Sequence, residues 1–196
     1  MRYAAGHNEA IRNRIVEVAS RLFREEGIAA VGLARIMAKA GLTVGTFYTH
    51  FKSKEALVRE ALRQTLDARH EGLAPALDGA DVETVVRSYL SPAHRDDVGG
   101  GCAVAALVSE VARHPRATRH TFVAHNAPTV DSLAAWLSRQ RGMKVAAADA
   151  AAFLALLAGT LQLSRATPDR AASDAILEAG VRAAIRLASY RGDQLS

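Results

Sequence analysis

Apolar side chains recur at helical spacing over residues 9–26, EAIRNRIVEVASRLFREE, where Ile11, Ile15, Val18, Ala19, Leu22 and Phe23 share one face. That period predicts an amphipathic helix with Asn8 as its N-cap and Gly27 as its stop. A shorter helix is predicted from about Leu33 to Ala40, turning Ile36, Met37 and Ala40 inward, and Gly41 ends it. Thr43 then caps a third helix over 44–50, and Ser53 caps a fourth that runs to about Leu73. Two short helices joined through the tight turn at Gly41-Leu42 make a helix-turn-helix pattern. The stretch GLAPALDGAD, residues 72–81, reads as a loop from its Gly, Pro and Asp. Further helices are predicted over 82–91, 102–113, 117–140, 146–165 and 170–190, separated by SPAHRDDVGGG, HP, RGMK and ATPDR. No stretch alternates like a strand and no repeat is visible. The expected fold class is all-α, with a three-helix head over residues 1–54, a connecting helix to about residue 73, and a larger helical body over 74–196.

The run AGLTVGTFYTHFKSKEAL, residues 40–57, is poor in strong helix formers. A segment that accepts this cost has another use for Thr43, Thr46, Tyr48, Thr49 and His50. Charge suggests which. Residues 1–54 hold nine Lys/Arg against four acids, whereas residues 55–196 hold sixteen of each, so the whole formal excess of +5 lies in the first quarter. A basic head is fitted to a polyanion. In a helix-turn-helix the second helix enters the major groove. Val44 and the Thr46 methyl suit a thymine methyl, Gly45 permits close backbone approach, and Thr46 also offers a hydroxyl to base edges. Thr43, Tyr48 and His50 suit phosphate, Lys54 stands at a helix N-terminus where an anion is favoured, and Arg35 and Lys39 reach the backbone from the preceding helix. Phe47 and Phe51 are expected as core anchors, and His50 has an alternative use as a helix C-terminal cap.

At these residues the chain resembles the TetR family of transcriptional regulators. Ile36, Ala40, Gly41, Thr43, Gly45, Thr46, Tyr48, His50, Phe51, Ser53, Lys54 and Leu57 stand in register with the family's head motif. The resemblance covers the first 60 or so residues; beyond them only the length and helical layout agree. Two departures are visible: Gly32 and Ala34 stand where the family has a hydroxyl residue and, two positions on, a basic one. Weaker readout from that helix is expected, with more reliance on the third helix and on Arg2. The resemblance implies a body that dimerises through its last two helices and holds an effector among the middle ones.

Helix 146–165 is apolar nearly all round, and such a helix must be covered on every side. Its small residues Ala155 and Gly159, with Leu177, Val181 and Ile185 of the last helix, are the expected homodimer interface, which would present two recognition helices to a palindromic site. Within 146–163, Asp149 and Gln162 and the abundance of alanine favour a buried or dimer-facing helix over a membrane span. For the effector, Pro128 is expected to kink or break helix 117–140 beside His125 and Asn126. Tyr89, Cys102, Phe122, Phe153 and Gln162 are further candidates for lining a cavity, each with an ordinary structural alternative. Cys102 is read either as a small core residue or as a thiol sensor near a helix N-terminus.

The single cysteine excludes an internal disulfide framework and fits a reducing cytoplasm, and MRYAAGHNEAIRNR has no apolar run after its charges, against a secretory signal. No acid sits in HExxH spacing with a histidine, and the GGG at 99–101 is followed by Cys-Ala instead of Lys-Ser/Thr. No metal, cofactor or enzymatic activity is therefore expected. The expected function is a cytoplasmic, dimeric repressor bound to double-stranded operator DNA and released by a small-molecule effector. The alternative is an activator or architectural DNA binder without an inducer.

Overall fold

The computed structural model describes residues 3–190, and their regular structure is ten helices with no strand. α1 (Tyr3–Glu26), α2 (Leu33–Lys39) and α3 (Val44–His50) form the head, and α4 (Lys54–Leu77) leads out of it. α5 (Val82–Tyr89), α6 (Pro92–Asp96), α7 (Ala103–Val111), α8 (Arg116–Arg141), α9 (Ala147–Ala166) and α10 (Arg170–Ser189) complete the body.

The local signals in the head act as their chemistry requires. Gly27 and Gly41 have φ of +86° and +69°, the left-handed conformation that ends a helix. At Gly41 the Leu42 N–H bonds Met37 O at 2.9 Å and the Gly41 N–H bonds Ala38 O at 3.0 Å, a Schellman closure of α2. The hydroxyls of Thr43 and Ser53 cap α3 and α4 by accepting from Thr46 N and Ala56 N. Ile15, Ala19, Leu22 and Phe23 of α1 are buried with Ile36 and Met37 of α2 and Phe47 of α3, and Leu107 and Val111 of α7 join the same cluster. The body has its own core around Trp136, Phe153, Leu157, Leu161 and Leu177. α4 serves both cores, with Leu57 to Leu62 in the first and Leu66 and Leu77 in the second.

The structure departs from the sequence reading at four places. α1 begins at Tyr3, so Asn8 is an internal residue and not a cap; Ala4 and Ala5 before it favour continuation. α4 passes through Pro75 to Leu77 where a loop was expected, because Leu77 is buried in the body core. A five-residue helix, α6, forms inside the expected separator, with Ser91 as cap and Pro92 in its first turn. α8 runs unbroken past Pro128. Arg2 lies outside the described residues.

An ion-pair chain ties α1 to α4. Glu60 accepts from Arg12 at 2.9 Å and from Arg63 at 2.7 Å. Arg63 first, and then Arg12, hold the Glu60 carboxyl down at about 2. Because the folded state prefers the ionised form, this contribution is present above the ordinary carboxylate value of 4.5 and fades as pH falls through about 2. The urea midpoints of wild type and Glu60→Gln are therefore expected to differ at neutral pH and to converge in acid. A gap that persists unchanged into strong acid would mean the carboxylate charge contributes nothing.

Candidate DNA-binding surface and junction cavity

α3 is pinned by its aromatic residues and free on its other face. Phe47 is fully buried, stacks on Phe51 at 5.6 Å, and meets the Tyr48 ring edge-on at 5.2 Å. Arg12 lies 4.9 Å over Phe51 and closes the stack from α1. Held this way, α3 shows solvent Val44 (40% exposed), Gly45, Tyr48 (64% exposed) and Thr49. Leaving a valine and a tyrosine this exposed forgoes burial, which is consistent with a partner surface.

Gly45 is the most informative of these. A Cβ built there has the Thr43 hydroxyl at 3.7 Å as its nearest neighbour, and its φ is not positive. Neither space nor backbone requires a glycine, although glycine within a helix costs about 0.5–1 kcal/mol relative to alanine. The chain's own packing and backbone thus leave the glycine at position 45 unexplained.

The other expected contact residues are less simply placed. Thr46 is half-buried and its hydroxyl shares a hydrogen bond of 3.0 Å with that of Thr43, so both oxygens have a local partner. Arg35 pairs with Glu26 at 2.6 Å, while Lys39 is exposed and His50 half-buried. The Lys54 ammonium donates to Ile28 O at 2.6 Å, tying the start of α4 to the α1–α2 turn. It acts here as a brace within the head.

Side chains that the sequence reading passed over bind head to body. Glu110 of α7 accepts the N–H groups of Ile28 and Ala29 at 3.2 and 3.0 Å. Glu55, in the first turn of α4, accepts from the Thr118 hydroxyl and lies 3.1 Å from His114 Nδ1. Burial pushes the Glu55 carboxyl up, but the Thr118 and His114 hydrogen bonds outweigh it and leave it below the ordinary range. These contacts span 59 to 82 residues, so no local spacing announces them.

A cavity of about 690 Å³ opens where α1 and α4 meet α6 and the start of α7, lined among others by Arg24, Arg69, His94, Asp97 and Cys102. Cys102 is the N-cap of α7, and its N–H donates to His94 Nε2 at 3.1 Å while His94 Nδ1 donates to Tyr89 O at 2.7 Å. That pair of bonds fixes the imidazole as neutral, and burial lowers its pKa in the same sense. A second space of about 420 Å³ adjoins along Arg69, Tyr89 and His94. Of the seven expected effector residues, Tyr89 and Cys102 meet these cavities. The other five do not: Phe122 packs against both cores, His125 bonds Asp67 at 2.7 Å, and Phe153 is fully buried near Trp136. Gln162 donates to Ala105 O, and the Asn126 carbonyl oxygen is buried on α8 without a partner.

The expected dimer residues divide similarly. Leu177 and Val181 are buried in this chain's own core and are not free for a second copy, whereas the half-buried Ile185 packs against that core and keeps part of its surface exposed; an apolar stripe does not reveal which chain covers it. Ala155 is exposed, Gly159 half-buried, and Leu163 on the same helix is 64% exposed. α9 is long and apolar enough to cross a membrane, and it packs within the body against α8 and α10.

Comparison with known proteins places the head. Residues 15–61 match the model of the family described as bacterial regulatory proteins, tetR family. Over 56 residues the chain is 41% identical to an HTH-type transcriptional regulator of Staphylococcus aureus strain USA300, a match covering 29% of this chain and 30% of that protein. The similarity thus spans under a third of the length of the curated relative. The fold is shared more widely. Reduced NemR of E. coli superimposes with a TM-score of 0.74 at 19% identity, over 90% of this chain and 96% of that one. SCO4454, a TetR-family transcriptional regulator from Streptomyces coelicolor, gives 0.65 at 27% identity, over 92% and 96%.

Proposed function

The chain carries a TetR-family DNA-binding head on the fold of that family's regulators, and we propose that it acts as a homodimeric, effector-released repressor in the cytoplasm. The head, residues 1–54, reads a palindromic operator through Val44, Gly45, Tyr48 and Thr49 of α3, and the body, residues 74–196, supplies dimer and effector contacts. The observation that carries this reading is Gly45: a helix glycine that its own fold does not need, beside an exposed valine and tyrosine.

The effector site is the junction cavity. Its wall includes Arg24 of α1 and Arg69 of α4, so an occupant touches the helix that packs the head and the helix that leaves it. Lys54 and Glu110 then transmit any displacement of α4 and α7 to the α1–α2 turn, and Glu55 couples the start of α4 to Thr118 and His114. A ligand that binds better to the DNA-incompetent arrangement shifts the population toward it.

Selection from a random duplex pool at physiological salt tests the reading. An enriched inverted repeat with half-sites about one helical turn apart is expected. Retention that is salt-sensitive but without enrichment would reduce the head to non-specific binding. Enrichment of a single half-site would remove the dimer.

A further inference from the structure

The two cavities meet at Arg69 and His94. Arg69 lines both spaces, and the second runs on toward Leu73, Leu77 and Val85 with Tyr89 in its wall. The Arg69 Nε is buried without a hydrogen-bond partner, and so is the Tyr89 hydroxyl. The Arg69 guanidinium stands 5.4 Å over the Tyr89 ring, so the two groups belong to one small region. A buried donor left unmade costs a desolvation penalty that the fold does not recover elsewhere.

Both groups hold a proton to donate and have no acceptor for it. Arginine has none to offer. Burial, and then the Cys102 thiol, push the Tyr89 phenol above its ordinary range, so it remains a protonated donor. His94 cannot serve, since its two nitrogens are already engaged with Cys102 N and Tyr89 O. Arg24 adds a second cation, and the acids lining the larger space, Glu17 and Asp97, are exposed. Donors and positive charge inside, acids toward solvent, and an apolar extension together describe an occupant.

We propose that the junction cavity binds an organic carboxylate, its oxygens accepting from Arg69 Nε and the Tyr89 hydroxyl and its short alkyl or aryl tail lying along Leu73, Leu77 and Val85. The planar guanidinium fork matches the two oxygens of a carboxylate. Volumes of about 690 and 420 Å³ suit a small ligand of this kind. This assignment deepens the effector reading and rests on it for its regulatory meaning.

Matched acid and amide pairs test it: octanoate against octanamide, and benzoate against benzamide, each titrated calorimetrically into the full chain without DNA. The acids are expected to bind at least about tenfold more tightly than their amides, as one charge-assisted hydrogen bond would give. Arg69→Gln abolishes that preference. Tyr89→Phe, which removes a single oxygen, lowers acid affinity several-fold and carries the test if Arg69→Gln lowers the unfolding temperature. Equal binding of acid and amide, a preference that survives both variants, or no binding by any of the four overturns the proposal. The same titrations into the complex with an enriched duplex separate the two readings: acids that bind but release no DNA leave the carboxylate site standing and remove its effector role.

Discussion

Gly45→Ala is expected to make the protein more stable and a poorer DNA binder. On the stability side, α3 has only seven residues, and a methyl group at position 45 meets nothing closer than the Thr43 hydroxyl at 3.7 Å. Alanine restricts the unfolded chain and favours the helix by about 0.5–1 kcal/mol, worth roughly 1–4 °C in unfolding temperature for a domain of this size. On the binding side, the same methyl projects from the face that carries Val44, Tyr48 and Thr49, and holds the helix axis away from the groove. Affinity for the selected duplex should fall on the order of tenfold to a hundredfold, the worth of about one base contact. Calorimetric unfolding and a fluorescence binding titration on one preparation read both effects. Their opposite signs make the experiment decisive: a variant that gains stability and binds equally well would mean that α3 does not lie against the duplex. A variant that loses stability would mean that the space around Gly45 is misplaced.

This result would rest on a part of the molecule that is legible residue by residue. Thr43, Ser53 and Gly41 act through hydrogen bonds and backbone angles within a few residues, so the limits of α2, α3 and α4's start follow from sequence. Lys54 shows where that ends. Its place at a helix N-terminus is local and readable, but its partner, Ile28 O, lies 26 residues away and only the packed head brings it there. Pro75 and Pro128 show the same limit from the other side. Local chemistry argues for a stop at each, while the burial of Leu77 and the packing of α8 along α4 carry the helices through. The cavity is the extreme case: Tyr89 is one candidate among several in sequence and Arg69 carries no local signal, and their shared lack of a partner exists only in three dimensions. Glu110 is another such residue, visible only once α7 is laid against the α1–α2 turn.

A charge on the outer face of α9 is expected to cost more function than any single change in the head. Ala148, Ala152, Ala155, Gly159 and Leu163 follow one another at helical spacing, and all but the half-buried Gly159 are exposed. A Cβ at Gly159 would meet nothing within 4 Å, so a larger side chain there does not disturb its own protomer. Leu163, at 64% exposure, gains little burial from this chain. Such a stripe is suited to the same stripe on a second copy, related by a two-fold axis. Gly159→Glu combined with Leu163→Glu would set like charges against each other across that axis and expel the copy. Sedimentation at micromolar concentration should then give twice the chain mass for wild type and the chain mass for the variant, with helical content retained. With only one head per particle, the gain from linking two half-site contacts disappears, and operator affinity should fall by about two to four orders of magnitude. Leu177→Ala supplies the contrast. It empties space in the protomer core, costs about 2–5 kcal/mol of stability, and needs no dimer to do so. If the α9 variant still sediments as a dimer, the copies meet through another face; if wild type is a monomer, the palindromic reading of the head falls with it.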